Sequence, residues 1–208
     1  MKLCGKPIIY YSLKALERSR YVNDIIVVVN KRDIKRAGLL ARNYSINKIA
    51  RIVEGGEMRF DSVFNGLRNI DNKTDIVLIH DCARPFTKTD LINKSIRAAD
   101  KFTAAIAAVK ATSTLKEVSP NYTINETLNR DSIYIAQTPQ VFKRELIISA
   151  YGKAKKAGFK PTDDSAVVEK FGGRVKIVEG SQTNIKITTK EDMVLAKAIL
   201  KNKNRISM

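Results

Sequence analysis

Ile76-Val77-Leu78-Ile79-His80-Asp81-Cys82-Ala83-Arg84-Pro85-Phe86 is the stretch on which the fold turns. Four apolar β-formers run directly into a polar cluster, and Pro85 ends the extension. A continuous apolar run of this length fits a strand buried on both faces. In an open α/β sheet, ligands bind just beyond the carboxyl ends of such strands. His80, Asp81 and Arg84 then stand at the rim of a site. The same residues also fit a core strand that leaves through a polar turn.

Outward from this run, strands and helices alternate. Upstream, Pro7 suits the first turn of a helix to about Arg18, with Ile8, Tyr11, Ala15 and Leu16 at helical spacing. Ile25 to Val29 is an unbroken β-branched strand, and 33–44 carries the next helical pattern. Ile49 to Val53 is a short strand closed by Gly55-Gly56. Phe60, Val63, Phe64, Leu67 and Ile70 then form one helix face. Downstream, Thr89 is the expected cap of a helix whose buried stripe is Leu91, Ile92, Ser95, Ile96, Ala99 and Phe102. Ala104 to Val109 reads as a buried strand. Thr112 to Arg130 is polar, has Pro120-Asn121 as a turn, and reads as a hairpin-like arm leaving the body. Ile133 to Ala136 returns as a strand, followed by a helix from Lys143 to Ala157 with Gly158 as its C′ residue. Asp163-Asp164 opens a short helix, Val175 to Val178 is a strand, and Ile185 to Thr188 is extended. Thr189-Lys190-Glu191-Asp192 resembles a capping box before the last helix. This alternation predicts an α/β fold with a mostly parallel sheet covered on both faces. Such an arm commonly packs on another copy of the chain, so a homodimer is expected.

The bulk properties narrow the function. The chain has 208 residues, 44% of them hydrophobic, enough for a packed core. No apolar run approaches 18 residues, the start has no apolar signal core, and the expected compartment is the cytoplasm. Cys4 and Cys82 are too few for a disulfide framework or a zinc site. The formal net charge of +17 favours anionic partners. The basic residues are dispersed, densest at 153–156 and in the tail from Lys197 to Arg205, so nucleic-acid binding is the weaker reading.

Phosphate-loop, dinucleotide-binding, nucleophile-elbow and zinc-protease motifs are all absent. The single histidine, His80, has no second histidine with which to hold a metal. What remains is a set of polar clusters, each after a strand. Gly55-Gly56 lets the backbone approach a flat base or a phosphate, and Ser62 can meet a base edge or cap the helix. Asp81 can hold a cation or a sugar hydroxyl, and Arg84 can grip a phosphate with two donors. Thr114 and Lys116 lie at the base of the arm and Arg130 at its far end, with Gln137-Thr138-Pro139-Gln140 after its return. Thr162-Asp163-Asp164 reads as a site or a plain N-cap. Lys186 alternates with isoleucines, as a solvent-facing strand residue does. Together the clusters favour a phosphate-rich ligand and no covalent nucleophile.

In this order the clusters resemble the 2-C-methyl-D-erythritol 4-phosphate cytidylyltransferase family. The strings that carry the likeness are E-G-G-E-M-R-F-D-S-V-F-N-G-L, V-L-I-H-D-C-A-R-P-F, S-T-L-K, N-R-D-S-I-Y-I-A-Q-T-P-Q-V-F, T-D-D-S-A-V-V-E and N-I-K-I-T-T-K-E-D. The likeness spans Gly5 to about Leu200, nearly the whole chain. The resemblance implies a three-layer Rossmann-like nucleotidyltransferase domain over 1–208, with a dimerisation arm at about 110–135. It implies transfer of a cytidylyl group from CTP to methylerythritol phosphate, with Mg²⁺, in non-mevalonate isoprenoid biosynthesis. Lys186 and Arg130 are its implied catalytic residues. Gly56, Ser62, Asp81 and Arg84 would bind nucleotide, with Asp81 also holding the metal. Thr114, Arg130, Thr138 and Thr162 would bind the second substrate, the first two from a partner's arm. The nearest alternatives are ribitol-5-phosphate cytidylyltransferase, and an inactive remnant or a basic nucleic-acid-binding protein.

The resemblance also has a gap. The family opens with a strand, a glycine-rich loop of the A-A-G-x-G-x-R-M kind and a lysine. Met1 to Pro7 matches the piece just after that lysine. The expectation is therefore a chain lacking a central strand and its phosphate loop, with exposed sheet edges and little or no turnover.

Overall fold

The computed structural model describes the backbone of residues 1–206 and the side chains of residues 1–202, so the end of the basic tail lies outside the described side chains. A two-residue hairpin, β1 (Lys2–Leu3) with β2 (Lys6–Pro7), leads into α1 (Ile8–Glu17). β3 (Ile25–Val29), α2 (Ile34–Asn43) and β4 (Ile49–Glu54) follow. Next come α3 (Arg59–Leu67), β5 (Ile76–Ile79), α4 (Thr89–Phe102) and β6 (Ala104–Lys110). The arm is β7 (Lys116–Val118) with β8 (Ile124–Thr127), an antiparallel pair forming its own sheet. The chain closes with β9 (Tyr134–Lys143), α5 (Arg144–Lys156), α6 (Asp164–Lys170), β10 (Lys176–Glu179) and α7 (Lys190–Ile206).

The α/β alternation expected from the hydrophobic periods is present, in a mixed arrangement. The main sheet has the order β10-β6-β9-β5; β10 and β6 are parallel, and β9 is antiparallel to both its neighbours. β3 and β4 form a separate parallel pair. β6 is the strand buried on both faces: Ala104 to Val109 are all buried. Its period of two divides the core. Ala104 and Ile106 face Phe142, Ile147, Tyr151 and Val167 on one side, while Ala105 and Val141 face Leu13, Leu16, Ile92 and Ile96 on the other.

β5 was expected to be buried on both faces, yet only Val77 is buried; Ile76, Leu78 and Ile79 are half-buried. It pairs with β9 on one side only. Its other edge faces β3 across a cavity of about 1340 Å³, lined by Ile25 to Val28, Ile76 to Ile79 and residues of α1, α3 and α4. Apolar strands thus meet edge to edge without forming a ladder with each other.

Other local readings are adjusted. The expected cap Thr89 is the first residue of α4, and its hydroxyl instead donates to the Ala15 carbonyl at 3.1 Å. Phe102 leaves the buried stripe and is 44% exposed, with the Lys101 and Lys176 ammonium groups over its ring. Gly158 takes φ +62 after α5, as its C′ position requires. The capping box before α7 is reciprocal: Thr189 N–H donates to the Asp192 carboxylate at 2.9 Å, and Asp192 N–H donates to the Thr189 hydroxyl at 3.2 Å. Among the described residues, no helix is long and apolar enough to cross a membrane.

Candidate active site

β4 ends in Glu54-Gly55-Gly56, and α3 begins at Arg59. The turn is tight enough that a Cβ on Gly56 would lie 2.2 Å from the Asp61 Cβ. That excludes any side chain there. Capping of α3 falls to Asp61, whose carboxylate accepts Met58 N–H at 3.4 Å. Ser62, read as a base contact or a cap, accepts Gly56 N–H at 3.1 Å and lines the cavity. It therefore shapes the glycine loop.

The centre of the site is Asp81, just past the end of β5. Arg59 Nε lies 3.3 Å from one of its carboxylate oxygens; Lys186 Nζ lies 3.0 Å and Arg84 Nε 3.6 Å from the other. Burial works against the charge of Asp81, but Arg59, Lys186 and Arg84 together hold its carboxyl below the usual range. Arg59 also forks onto Asp164 at the start of α6, with contacts of 2.9 and 2.6 Å. Asp164 is fully buried and accepts a third hydrogen bond from the Tyr151 hydroxyl at 2.6 Å. Its charge is thus neutralised by a bidentate guanidinium. Burial lowers the Arg59 pKa while Asp164 and Asp81 raise it, and the net direction is upward. Burial and the Asp164 charge both raise that of Tyr151.

Lys186 is held by its neighbours. The sequence places it on a strand, but 184–188 joins no ladder. Ile187 N–H donates to the Ala83 carbonyl at 2.9 Å, and Arg84 Nη1 donates to the Asn184 carbonyl at 2.7 Å. Ile185 and Ile187 pack with Leu3, Phe86 and Ala196, leaving Lys186 on the Asp81 side. Asn184 is the buried rivet: its amide donates to Gln137 at 3.1 Å and the Thr138 carbonyl at 2.9 Å, and its oxygen accepts from Thr87 at 2.6 Å.

Thr138 is placed differently from the expectation. The sequence ends the returning strand at Ala136, because proline disfavours strand interiors. β9 instead continues to Lys143 through a bulge: Ala108 pairs with Ala136 and Ile106 with Gln140, so Gln137, Thr138 and Pro139 oppose one residue. The bulge turns Thr138 beneath the site. Its hydroxyl accepts Asp81 N–H at 3.1 Å and lies 2.8 Å from His80 Nδ1. Thr138 is buried, and its hydroxyl is bonded within the Asp81 turn. His80 sits under the same turn; burial lowers its pKa to about 4, leaving it neutral at pH 7.

Ser62, Asp81 and Lys186 line one polar end of the cavity, Arg84 braces Asp81, and Gly56 is hydrogen-bonded to Ser62. Thr162 is exposed, two residues before Asp164. Thr114 and Arg130 are exposed on the arm, where Arg130 Nη1 donates to the Thr112 carbonyl at 2.9 Å; neither lines the cavity. The sequence reading gave no role to Arg59, Tyr151 or Asn184, and it took Asp164 only as part of a possible site or N-cap at 162–164. Arg59 stood inside a quoted string, but its partner is 105 residues away. The available signal was a second aspartate leading into the apolar run Ala166-Val167-Val168, a charge headed for burial.

Chemically the site offers three cations around one carboxylate beside a glycine turn. That is a surface for gathering phosphates and orienting them, with no activated hydroxyl or thiol. Burial and Asp81 raise the Cys82 pKa, keeping it a thiol.

The chain resembles known proteins along almost all of its length. The family model described as 2-C-methyl-D-erythritol 4-phosphate cytidylyltransferase matches residues 1–202. Proteins of that name from Caldanaerobacter subterraneus subsp. tengcongensis and Clostridium botulinum (strain Loch Maree / Type A3) are 41% and 40% identical. These matches cover 97% and 96% of this chain, and 89% and 87% of the relatives. The crystal structure of 4-diphosphocytidyl-2C-methyl-D-erythritol synthase from Anaerococcus prevotii DSM 20548 superposes with a TM-score of 0.90 at 37% identity, covering 96% of this chain and 88% of that one.

Proposed function

The chain belongs to the 2-C-methyl-D-erythritol 4-phosphate cytidylyltransferase family, nucleotidyltransferases of isoprenoid biosynthesis, and from that premise we propose how its residues perform the transfer. The carrying observation is the Lys186–Asp81 contact of 3.0 Å at the polar end of the cavity, flanked by Arg59 and Arg84. The acceptor's phosphate monoester has a second pKa near ~6 and is largely ionised at neutral pH, so it needs no general base. One of its oxygens attacks the α-phosphorus of CTP. The bond from that phosphorus to the α–β bridging oxygen breaks, and pyrophosphate leaves. Charge spreads over the non-bridging oxygens in the transition state. Lys186, whose side chain is 41% exposed, meets that charge on the α-phosphate. Ser62 and the Gly56 turn receive cytosine, and Arg84 keeps the Asp81 turn in place.

Mg²⁺ belongs to the same proposal. Among the described residues, no three acidic, histidine or cysteine side chains converge as a cage. Nucleotide-borne Mg²⁺ needs only one or two carboxylates besides the phosphates, so Asp81 beside Lys186 fits it. When bound, the ion would screen the triphosphate and stabilise the leaving pyrophosphate.

The second substrate is read onto Thr114 and Arg130 of a partner's arm and onto Thr162. Support comes from the arm's apolar exposure: Val118, Ile124, Tyr134 and Ile135 are exposed, and Tyr122 is 91% exposed. Such a patch on a projecting hairpin suits a homodimer contact. A cytoplasmic location completes the proposal, and cell fractionation tests it.

The test uses the purified 208-residue chain. Calorimetry should show CTP bound in preference to ATP, GTP and UTP. Pyrophosphate release, however slow, should require both CTP and methylerythritol phosphate and should fall in Lys186→Ala. Preference for ribitol 5-phosphate as acceptor, or salt-sensitive binding of nucleic acid with no selectivity for CTP, would overturn the reading.

A further inference from the structure

Arg59 is placed differently from the other cations. It is the first residue of α3, three positions after Gly56. Its Nε faces Asp81 at 3.3 Å, while both terminal nitrogens fork onto Asp164 at 2.9 and 2.6 Å. One planar group therefore bridges three segments far apart in sequence: the glycine turn, the turn after β5 and the start of α6. The far anchor is itself rigid. Asp164 receives the Tyr151 hydroxyl, and its backbone N–H donates to Gln140 at 3.0 Å. Gln140 in turn donates to Asp163 at 2.7 Å, and Asp163 caps α6 through Ala166 N–H at 2.9 Å. Phe60, next to Arg59, stacks on Tyr151 with centroids 4.7 Å apart. The clamp is thus tied to the packed core at one end and to Asp81 at the other.

We propose that Arg59 is a positioning residue: it fastens the Asp81 turn to the α6 anchor, so that Asp81, and Lys186 paired with it, keep one orientation in the free protein. The proposal rests on the transfer reading above, since it gives Arg59 its part in that reaction. A guanidinium can span both carboxylates because its donors lie in one fixed plane, whereas the single ammonium point of lysine cannot serve two acids in this way.

The test must separate positioning from loss of a buried ion pair. Arg59→Met alone strands a buried carboxylate and can unfold the chain. Arg59→Met/Asp164→Asn removes both charges and leaves at position 164 an amide oxygen to accept from the Tyr151 hydroxyl, so it should fold. Asp164→Asn alone keeps Arg59 beside Asp81 and is the reference. Hydrogen exchange in the absence of substrate should be at least ~10-fold faster over 80–86 in the double variant than in Asp164→Asn, with β6 and the 141–143 end of β9 unchanged. Turnover should fall about 10- to 100-fold between the same two proteins, in kcat, with less than about threefold change in either KM. Arg59→Lys/Asp164→Asn should not restore it fully. Equal exchange over 80–86 in the two proteins overturns the clamp whatever the activity. A clear exchange contrast in a chain that transfers no cytidylyl group would leave the clamp standing and remove the transfer reading.

Discussion

The Asp81 turn and the arm are built from the same kinds of residue and end in opposite states. Both carry acidic and basic side chains: Asp81 and Arg84 in the turn, Lys116, Glu117, Glu126 and Arg130 in the arm. In the turn, Arg59, Asp81, Arg84, Asp164 and Lys186 share partners, and Asp164 is wholly buried. In the arm every residue of β7 and β8 is exposed, and its bonds close on itself: Lys116 with Thr127, Arg130 with the Thr112 carbonyl, Lys110 with Asp131. Desolvation makes the difference. A charge removed from water is costly unless paired, so the turn's residues depend on one another. A charge in water costs little to move, so the arm can re-aim toward a partner.

The largest effect that could break this contrast is on turnover. Lys186→Ala should lower kcat about 10²- to 10³-fold with only a small change in the melting curve, since Lys186 is exposed, Asp81 keeps Arg59 and Arg84, and Lys186 is asked to supply one donor to the transition state. Steady-state pyrophosphate release measures it.

The next is a pH effect on stability. His80 is held near pKa 4 against about 6.5 in an unfolded chain. Between those values the unfolded state binds the extra proton. The His80 contribution to stability is therefore full above about pH 6.5, falls as the pH drops toward 4, and changes no further below. The expected loss is about 3 kcal/mol. Urea melts across that range should show the slope, and His80→Gln should flatten it.

Asn184→Ala should destabilise by about 1–3 kcal/mol, because Thr87, Gln137 and Thr138 lose a buried partner. It should also lower kcat, since the Asn184 side chain pins the segment that bears Lys186 and whose main-chain carbonyl accepts from Arg84. Thermal melts and turnover should move together here, unlike in Lys186→Ala.

The smallest effect on folding belongs to the arm. Arg130→Ala should change stability by no more than ~0.5 kcal/mol yet raise the KM for the acceptor. Tyr122→Ser with Ile124→Ser should shift the oligomer in sedimentation with little change in melting. An arm variant that unfolds the chain would erase the contrast on which these expectations rest.

The comparison also shows what sequence could carry. The hydrophobic periods located most of the elements, from β3 to α7, because which face of an element meets water is a local property. The hairpin, the α7 capping box and the Gly158 turn were legible for the same reason. The clusters at Gly56, Ser62, Asp81, Arg84 and Lys186 could be found as polar breaks after apolar runs. Their partners could not. Asp164 reads as a helix cap until Arg59 reaches it. Thr138 reads as a substrate contact, and its bonds to Asp81 and His80 appear only once a bulge turns it under that turn. β5 reads as central because its four residues are apolar, yet which edges find a neighbour depends on the whole sheet.

The sequence by itself thus determined the alternating α/β order, the arm and the polar stops after the strands. These follow from local chemistry: residue volume, branching and the period of apolar side chains. Only the tertiary structure decided which stops converge, which strand lies at the centre, and which charges are removed from water. Those outcomes depend on distances between residues up to 105 positions apart in the chain. Pairing and burial at such separations arise only when the layers close on one another.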